Sequence, residues 1–257
     1  DLWRNGEEVW YEGEYFPDLM VEEATRFMRK NKENPFFLYF AINTPHYPLQ
    51  GTKKWREYYK DLESPRDKYA AFISTTDERI GDLLRNLRAT GQAANTLVIF
   101  QSDHGHSKET RAFGGGGNAG ELRGSKFSLF EGGLRVPAFI SYPGVIPVNE
   151  KRDQMVIGTD WFPTVLDYAG IKAPDLDLDG KSLRSVINSK EAPSPHKTLH
   201  WMTPIQNQWA VRKGNWKLIG NPWQYDKEAR QDLTPEDSLF LVNLEKDMTE
   251  QTNVADK

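Results

Sequence analysis

The sequence of 257 residues contains no cysteine, only five histidines and no long apolar run. The absence of cysteine excludes internal disulfides and leaves every cellular compartment open. Because there is no stretch of about 18 apolar residues and the N-terminus is polar, neither a transmembrane helix nor a signal peptide is expected in this sequence. The net charge of -4 gives no electrostatic reason to expect binding to nucleic acid or to an anionic membrane.

The first two thirds of the sequence have the pattern of an α/β domain. Two apolar runs without alternation, 35–42 and 96–100, predict strands buried on both faces of a sheet. Between them, an apolar pattern of period 3.6 begins after Ser64 and Pro65 and ends at Gly91, which predicts a helix. Strand, helix and strand in this order predict a parallel sheet with a right-handed crossover. Further elements are expected at 17–31 (helix), 138–142 (strand) and 160–169 (helix).

The C-terminal part has a different pattern. Residues 172–195, rich in proline, aspartate and serine, predict a connection. Four short β-like runs beyond it, with a turn at 213–215, predict a small antiparallel sheet. We therefore expect an α/β part over 1–195 and a small antiparallel subdomain over 196–257. For the four tryptophans of this subdomain, packing is the preferred interpretation and a sugar-stacking surface the alternative: Trp201, Trp209, Trp216 and Trp223.

Polar residues follow the second apolar run directly, where ligands collect in parallel sheets. Asp103 and His104 form a pair able to bind a divalent cation, and Gly105 allows a tight turn. The alternative is a capping aspartate beside a surface histidine. Downstream, Lys126 and Arg135 stand among glycines, where a cation and backbone amides can approach an anionic group closely. Together the two segments predict an anion site next to a metal.

Five ordered segments of the sequence resemble the type I sulfatases of the alkaline-phosphatase-like superfamily. The resemblance implies a mostly parallel sheet sandwiched by helices, truncated here, beside a small C-terminal antiparallel β subdomain with a helix. It also implies a hydrolase of sulfate esters, acting on a sulfated small molecule or glycan. The segments are Thr44-Pro45-His46-Tyr47-Pro48, Ser102-Asp103-His104-Gly105, Gly124-Ser125-Lys126, Glu131-Gly132-Gly133-Leu134-Arg135-Val136-Pro137, and Thr159-Asp160 with Pro163, Thr164 and Leu166.

The resemblance assigns roles to individual residues. It implies that Asp103 and His104 are metal ligands and that Lys126 and His46 contact the sulfate group as catalytic residues. Arg135 and His106 are expected to bind substrate; for His106 a solvent-exposed loop histidine is the preferred alternative. A divalent metal is implied, calcium first and magnesium as the alternative. Asparagine is more frequent in the family where His104 stands, and its amide oxygen suits calcium better than an imidazole nitrogen.

The sequence lacks the motif Cys/Ser-x-Pro-x-Arg, from which the family makes its formylglycine nucleophile. The two Ser-Pro pairs, at Ser64 and Ser194, place proline one residue too early. We therefore expect the chain to be the C-terminal part of a longer enzyme, inactive alone, with formylglycine in the missing upstream part. The sequence assigns no compartment; the periplasm or the cell exterior would suit the full-length enzyme, whose targeting signal is not in this sequence. Missing strands are expected to leave an apolar edge that favours self-association.

Two other functions stay open. A phosphoesterase or phosphonate hydrolase of the same superfamily is the enzyme alternative, because the same metal and cations serve phosphate as well as sulfate. A non-catalytic binding unit is the other alternative, and it rests only on the absent nucleophile.

Overall fold

The structure is a computed structural model and describes residues 2–225 and 238–255. The chain divides into two compact units, residues 1–94 and 95–257. The predicted boundary near residue 195 stays a prediction.

The first unit is built on two packed helices. A short antiparallel hairpin, β1 (Leu2–Arg4) and β2 (Glu7–Val9), precedes α1 (Phe16–Lys30), and α2 (Lys53–Tyr58) precedes α3 (Arg66–Ala89). Proline in the first turn of α1 and an acidic residue in the first turn of α1 and of α3 favour these helix starts. Both long helices form where the sequence predicted them, and they pack against each other. Their buried apolar residues are Val21, Ala24, Met28, Ala71, Phe72 and Leu87.

The strand predicted at 35–42 is wrong for the described chain. These residues are not assigned to any strand, and their exposure alternates along the segment. Phe37 and Tyr39 are 71% and 81% exposed, whereas Phe36, Leu38 and Phe40 are half-buried. A strand forms only where a neighbouring strand takes up its backbone hydrogen bonds, and no described residue does so here.

The second unit begins with a two-stranded ribbon. β3 (Val98–Gln101) pairs antiparallel with β4 (Ala138–Ser141), in a register that places Ile99 opposite Ile140. The predicted strands therefore form, but the predicted parallel pairing is absent from the described residues. The reason is the connection: a loop with the single turn α4 (Glu131–Leu134) returns the chain directly to β3 without a crossover. The helices α5 (Trp161–Ala169) and α6 (Arg184–Asn188) follow.

The C-terminal sheet has four antiparallel strands in chain order, as predicted. They are β5 (Thr198–Thr203), β6 (Gln208–Lys213), β7 (Trp216–Gly220) and β8 (Leu239–Asn243). Its core also includes residues from the loop before β4, so this sheet is packed on that loop. The buried members are Leu129, Phe130, Ala210, Ile219, Phe240, Val242 and Leu244.

Two tryptophans of the sheet have packing roles. Trp201 packs on the buried cluster, and the ring of Trp209 covers Gly220 so closely that a Cβ there would lie 2.0 Å from it. The helix expected in the C-terminal subdomain is not found among its described residues, which contain only the short 3-10 turn Ile205–Asn207. None of the described helices is long and apolar enough to cross a membrane.

Candidate functional site

The loop after β3 brings Asp103 and His104 together. The His104 Nε2 atom lies 2.9 Å from Asp103 Oδ2, and the other ring nitrogen, Nδ1, lies 2.8 Å from the carbonyl oxygen of Gly105. When Nδ1 carries the ring proton, it donates to this carbonyl oxygen and leaves Nε2 beside the carboxylate as the nitrogen that could bind a metal. Both side chains reach solvent. The pair thus presents one carboxylate oxygen and one imidazole nitrogen side by side as candidate metal ligands.

Gly105 brings this loop against the turn α4. Its amide donates to the carbonyl of Gly133 at 3.0 Å, and a Cβ at Gly105 would lie 1.9 Å from the carbonyl oxygen of Gly132. Any larger residue would therefore push the loop away from α4. The sequence predicted a tight turn at Gly105; the structure adds this close approach of two backbones as the reason for glycine.

Lys126 is joined to the same loop by its backbone and its side chain. Its amide donates to the carbonyl of His106 at 2.8 Å. Its Nζ donates to Glu109 Oε2 at 3.1 Å, and both side chains are largely buried. The structure therefore places Lys126 beside the segment that follows Asp103 and His104.

Glu109 is the residue that sequence reasoning missed at this place. Its carboxylate accepts hydrogen bonds from Lys126, from Ser107 Oγ at 3.1 Å and from Arg111 Nε at 2.7 Å. Burial raises its pKa, but the hydrogen bonds from Lys126, Arg111 and Ser107 outweigh burial, so the pKa of Glu109 lies below its ordinary value. The sequence gives no reason to select Glu109, because its partner Lys126 lies seventeen residues further along the chain.

His106 is partly buried rather than solvent-exposed. Its Nδ1 atom is buried and has no hydrogen-bond partner among the described residues. Burial, and next the positive charge of Lys108, lower the pKa of His106, so its neutral form is favoured. The interpretation of His106 as an exposed loop histidine is therefore wrong, while its substrate role stays a prediction.

A buried ionic cluster holds α4 on the C-terminal sheet. Lys217 Nζ lies 2.9 Å from Glu131 Oε1 and 2.9 Å from Glu250 Oε1, and Lys217 and Glu250 have no accessible surface. The Glu131 amide also donates to Glu250 Oε2 at 2.5 Å. Glu131, 4% exposed, opens the turn that contacts the loop of Asp103, so β7 is tied to that loop through this cluster.

Arg135 belongs to the same cluster. Its Nε donates to Glu131 Oε2 at 2.7 Å, and its Nη1 lies 3.7 Å from the sulfur of Met248. These contacts give Arg135 a packing role in the structure. The predicted contact of Arg135 with substrate stays a prediction.

His46 lies in the first unit, in the loop before α2. Its Nδ1 lies 2.9 Å from the carbonyl oxygen of Tyr47, and its ring contacts the Tyr47 ring at 4.1 Å between centroids. The loop is anchored on α3, because the Thr76 hydroxyl donates to Thr44 Oγ1 at 2.9 Å. The His46 side chain is therefore exposed on an anchored loop.

Asp103 and His104 fit part of a divalent-cation site. Asp103 offers the oxygen that calcium and magnesium prefer, and His104 offers a nitrogen. In residues 2–225 and 238–255, no group of three or more His, Asp or Glu side chains could hold a metal. A cation at this pair would therefore need further ligands beyond those that the described residues provide.

Comparison with known proteins gives one consistent family. The family model described as "Sulfatase" matches residues 1–171, and the model "N-sulphoglucosamine sulphohydrolase, C-terminal" matches residues 124–257. A protein named "Sulfatase" from Formosa agariphila is 31% identical over 98% of this chain and 48% of its own length. Arylsulfatase J of Mus musculus is 28% identical over the whole chain and 49% of its own length. The chain thus spans about half the length of these curated relatives.

Solved structures agree with this comparison. The crystal structure of Ps i-CgsB superimposes with a TM-score of 0.81 at 29% identity, covering 97% of this chain and 52% of that one. A second crystal structure of that protein, in complex with k-i-k-neocarrahexaose, gives the same TM-score at 30% identity. The overall fold is therefore that of the sulfatases, which is alkaline-phosphatase-like.

Proposed function

The chain belongs to the sulfatase family, and we propose that it is the C-terminal part of a longer enzyme that hydrolyses sulfate esters. One observation carries the proposal: the loop of the Asp103–His104 pair is joined to Lys126 by the backbone hydrogen bond from the Lys126 amide to the His106 carbonyl. A metal-binding pair beside a lysine suits a bound anion whose charge must be stabilised during reaction.

Asp103 and His104 would hold the divalent cation, calcium first, with magnesium as the alternative. When bound, the cation supplies positive charge against the non-bridging oxygens of the sulfate. Lys126 adds a second positive charge, and its hydrogen bond to the buried carboxylate of Glu109 keeps the ammonium in place before substrate arrives. His46 is proposed to donate a proton or a hydrogen bond to a sulfate oxygen.

The remaining roles are less central to the chemistry. We propose that His106 and Arg135 contact the substrate beyond the sulfate. The formylglycine nucleophile is proposed to lie in the part of the enzyme that this chain does not contain, since no Cys/Ser-x-Pro-x-Arg motif occurs in it. This chain alone is then proposed to be inactive.

The substrate is proposed to be a sulfated glycan. The support is the likeness to Ps i-CgsB, which has been crystallised with a neocarrahexaose. We also propose that the extended segment 35–43 and the β3–β4 ribbon belong to a larger, mostly parallel sheet of the full-length enzyme. The exposed aromatic rings of Phe37, Tyr39 and Phe139 are the support, because such rings are normally covered.

Steady-state kinetics of the full-length enzyme on aryl sulfate and aryl phosphate esters tests the proposal. We expect kcat/KM to be higher for the sulfate, and Asp103→Ala and Lys126→Ala to lower it by about a hundredfold or more. Asp167→Asn removes a carboxylate that pairs with Arg184 away from these loops and serves as the matched control. A preference for phosphate would favour the phosphoesterase alternative, and unchanged kinetics in both alanine variants would reject the site.

A further inference from the structure

We infer that Arg111 is a specificity-determining residue that binds a second anionic group of the substrate, next to the sulfate taken by Lys126. The inference rests on the proposed function and extends it: the substrate would be a glycan with at least two anionic groups.

A single carboxylate joins the two basic side chains. Glu109 Oε2 accepts from Lys126 Nζ at 3.1 Å, while Oε1 accepts from Arg111 Nε at 2.7 Å and from Arg111 Nη2 at 2.5 Å. Since both cations contact the same carboxylate, their separation is fixed by its width. Glu109 therefore acts as a positioning residue that holds an ammonium and a guanidinium as a pair.

The two cations differ in their access to solvent. The Lys126 side chain is 12% exposed and the Arg111 side chain is 64% exposed. In the proposed arrangement, a small sulfate ester contacts only the buried lysine. A larger substrate that extends out of the site towards solvent would pass the guanidinium.

The turn that carries Arg111 is held in place by other contacts. Arg111 lies in the 3-10 turn Thr110–Ala112, directly after Glu109. The amide of Thr110 donates to the hydroxyl of Tyr225 at 3.2 Å, which anchors the turn from the other side. Gly115, with φ +94°, packs on the carbonyl of Ser107 at a distance that leaves no room for a Cβ. A side chain on an anchored turn loses little freedom when it binds a ligand.

The chemistry of the guanidinium favours an anionic ligand. A guanidinium is planar and binds sulfate or carboxylate groups through paired hydrogen bonds, so it selects for a second oxyanion better than an amine would.

The experiment compares disulfated disaccharides with the corresponding monosulfated disaccharides, and with p-nitrophenyl sulfate, on the full-length enzyme. We expect the wild type to prefer the disulfated compounds. In Arg111→Gln the loss of kcat/KM on the preferred disulfated compound should exceed the loss on p-nitrophenyl sulfate by about tenfold or more. Arg184→Gln is the matched control, since Arg184 pairs with Asp167 and a serine contacts the same carboxylate. Arg184→Gln should leave kcat/KM unchanged on both the disulfated compound and p-nitrophenyl sulfate.

Glu109→Gln tests the positioning role. Without the charge that joins the two cations, we expect KM to rise for both substrate classes, whereas Asp167→Asn leaves KM unchanged. A purely structural role for Glu109 would lower the melting temperature without changing KM.

Isothermal titration calorimetry with the disulfated compound separates this inference from the proposed function. If the wild type turns over no sulfate ester, the proposed function fails; weaker binding of only the disulfated compound by Arg111→Gln would still support the anion contact. Equal losses of affinity and rate on mono- and disulfated compounds would overturn the inference. An intact preference for two sulfates in Arg111→Gln would overturn it as well.

Discussion

At the scale of the residue, Lys217 is a lysine without accessible surface that faces two carboxylates. Positive charges from Lys217 and Arg135 outweigh burial at Glu131, so its pKa lies below the ordinary value. At Glu250 burial is the larger effect, and the pKa is raised. The two carboxylates therefore differ in protonation behaviour, and Glu250 takes up a proton first as the pH falls.

Lys217→Met should lower the free energy of unfolding by about 3–5 kcal/mol, because two buried carboxylates lose their shared cation. Without the ammonium the pKa of Glu250 rises further above the unfolded value, and the pKa of Glu131 rises from its lowered position. The folded variant then binds more protons than the unfolded chain, so its stability increases as the pH falls. Urea unfolding at about pH 8 and about pH 5.5 measures the free energy of unfolding of both proteins. We expect the variant to be less stable than the wild type by a larger amount at the higher pH.

Lys213→Met is the matched control for this variant. It makes the same change at an exposed position on the neighbouring strand β6. We expect it to change the free energy of unfolding by no more than about 0.5 kcal/mol. A pH-independent deficit in Lys217→Met would contradict the assignment of the two carboxylates.

At the scale of the element, two loops and one turn are joined by backbone contacts that only glycine permits. Gly105 lies against Gly132, and a Cβ at Gly133 would lie 2.1 Å from the carbonyl of Ser128. The loop of Asp103, the loop of Lys126 and α4 are therefore closely packed along their backbones. Glu131 also joins these segments to β7 through its ion pair with Lys217. The C-terminal sheet therefore helps to support the site.

Gly105→Ala should separate the loop from α4. We expect a loss of about 1–3 kcal/mol of stability and a fall in kcat/KM of the full-length enzyme, since the metal-binding pair is displaced. Gly81→Ala makes the same substitution inside α3, where a Cβ would meet only the flexible end of Arg85 at 3.3 Å. It should be neutral or stabilising by about 0.5–1 kcal/mol. Wild-type stability and kinetics in Gly105→Ala would disprove the close approach.

At the scale of the whole molecule, several large aromatic side chains are exposed. Phe37 and Tyr39 are 71% and 81% exposed on the extended segment, and Phe139 is 65% exposed on β4. Extended backbone with unsatisfied pairing and apolar side chains tends to pair with another chain.

We therefore expect the 257-residue chain to associate with itself in a concentration-dependent way in sedimentation velocity. Phe37→Lys and Tyr39→Lys should each shift the distribution towards monomer. Val148→Lys places the same charge at an exposed valine of a loop and should leave the distribution unchanged. A monomer at all concentrations would reject this expectation.

Local sequence patterns were enough to predict the family, the helices α1, α3 and α5, and the antiparallel C-terminal sheet. These depend on local patterns, such as the 3.6 period of α3 and the short ordered motifs around Asp103 and Lys126, which can be recognised without knowing what they contact. The pairing of β3 could not be predicted in this way. An apolar run indicates that a strand is buried, but it does not identify the strand that pairs with it.

The partners of the charged groups, in contrast, depend on the folded chain. Glu109 meets Lys126 from seventeen residues away, and Lys217 meets Glu131 from eighty-six residues away. No local pattern connects such pairs, because a buried ion pair depends on the three-dimensional course of the backbone. The sequence could therefore identify the lysine of the anion site, whereas the carboxylate that holds it, and the arginine held beside it, became visible only in the folded chain.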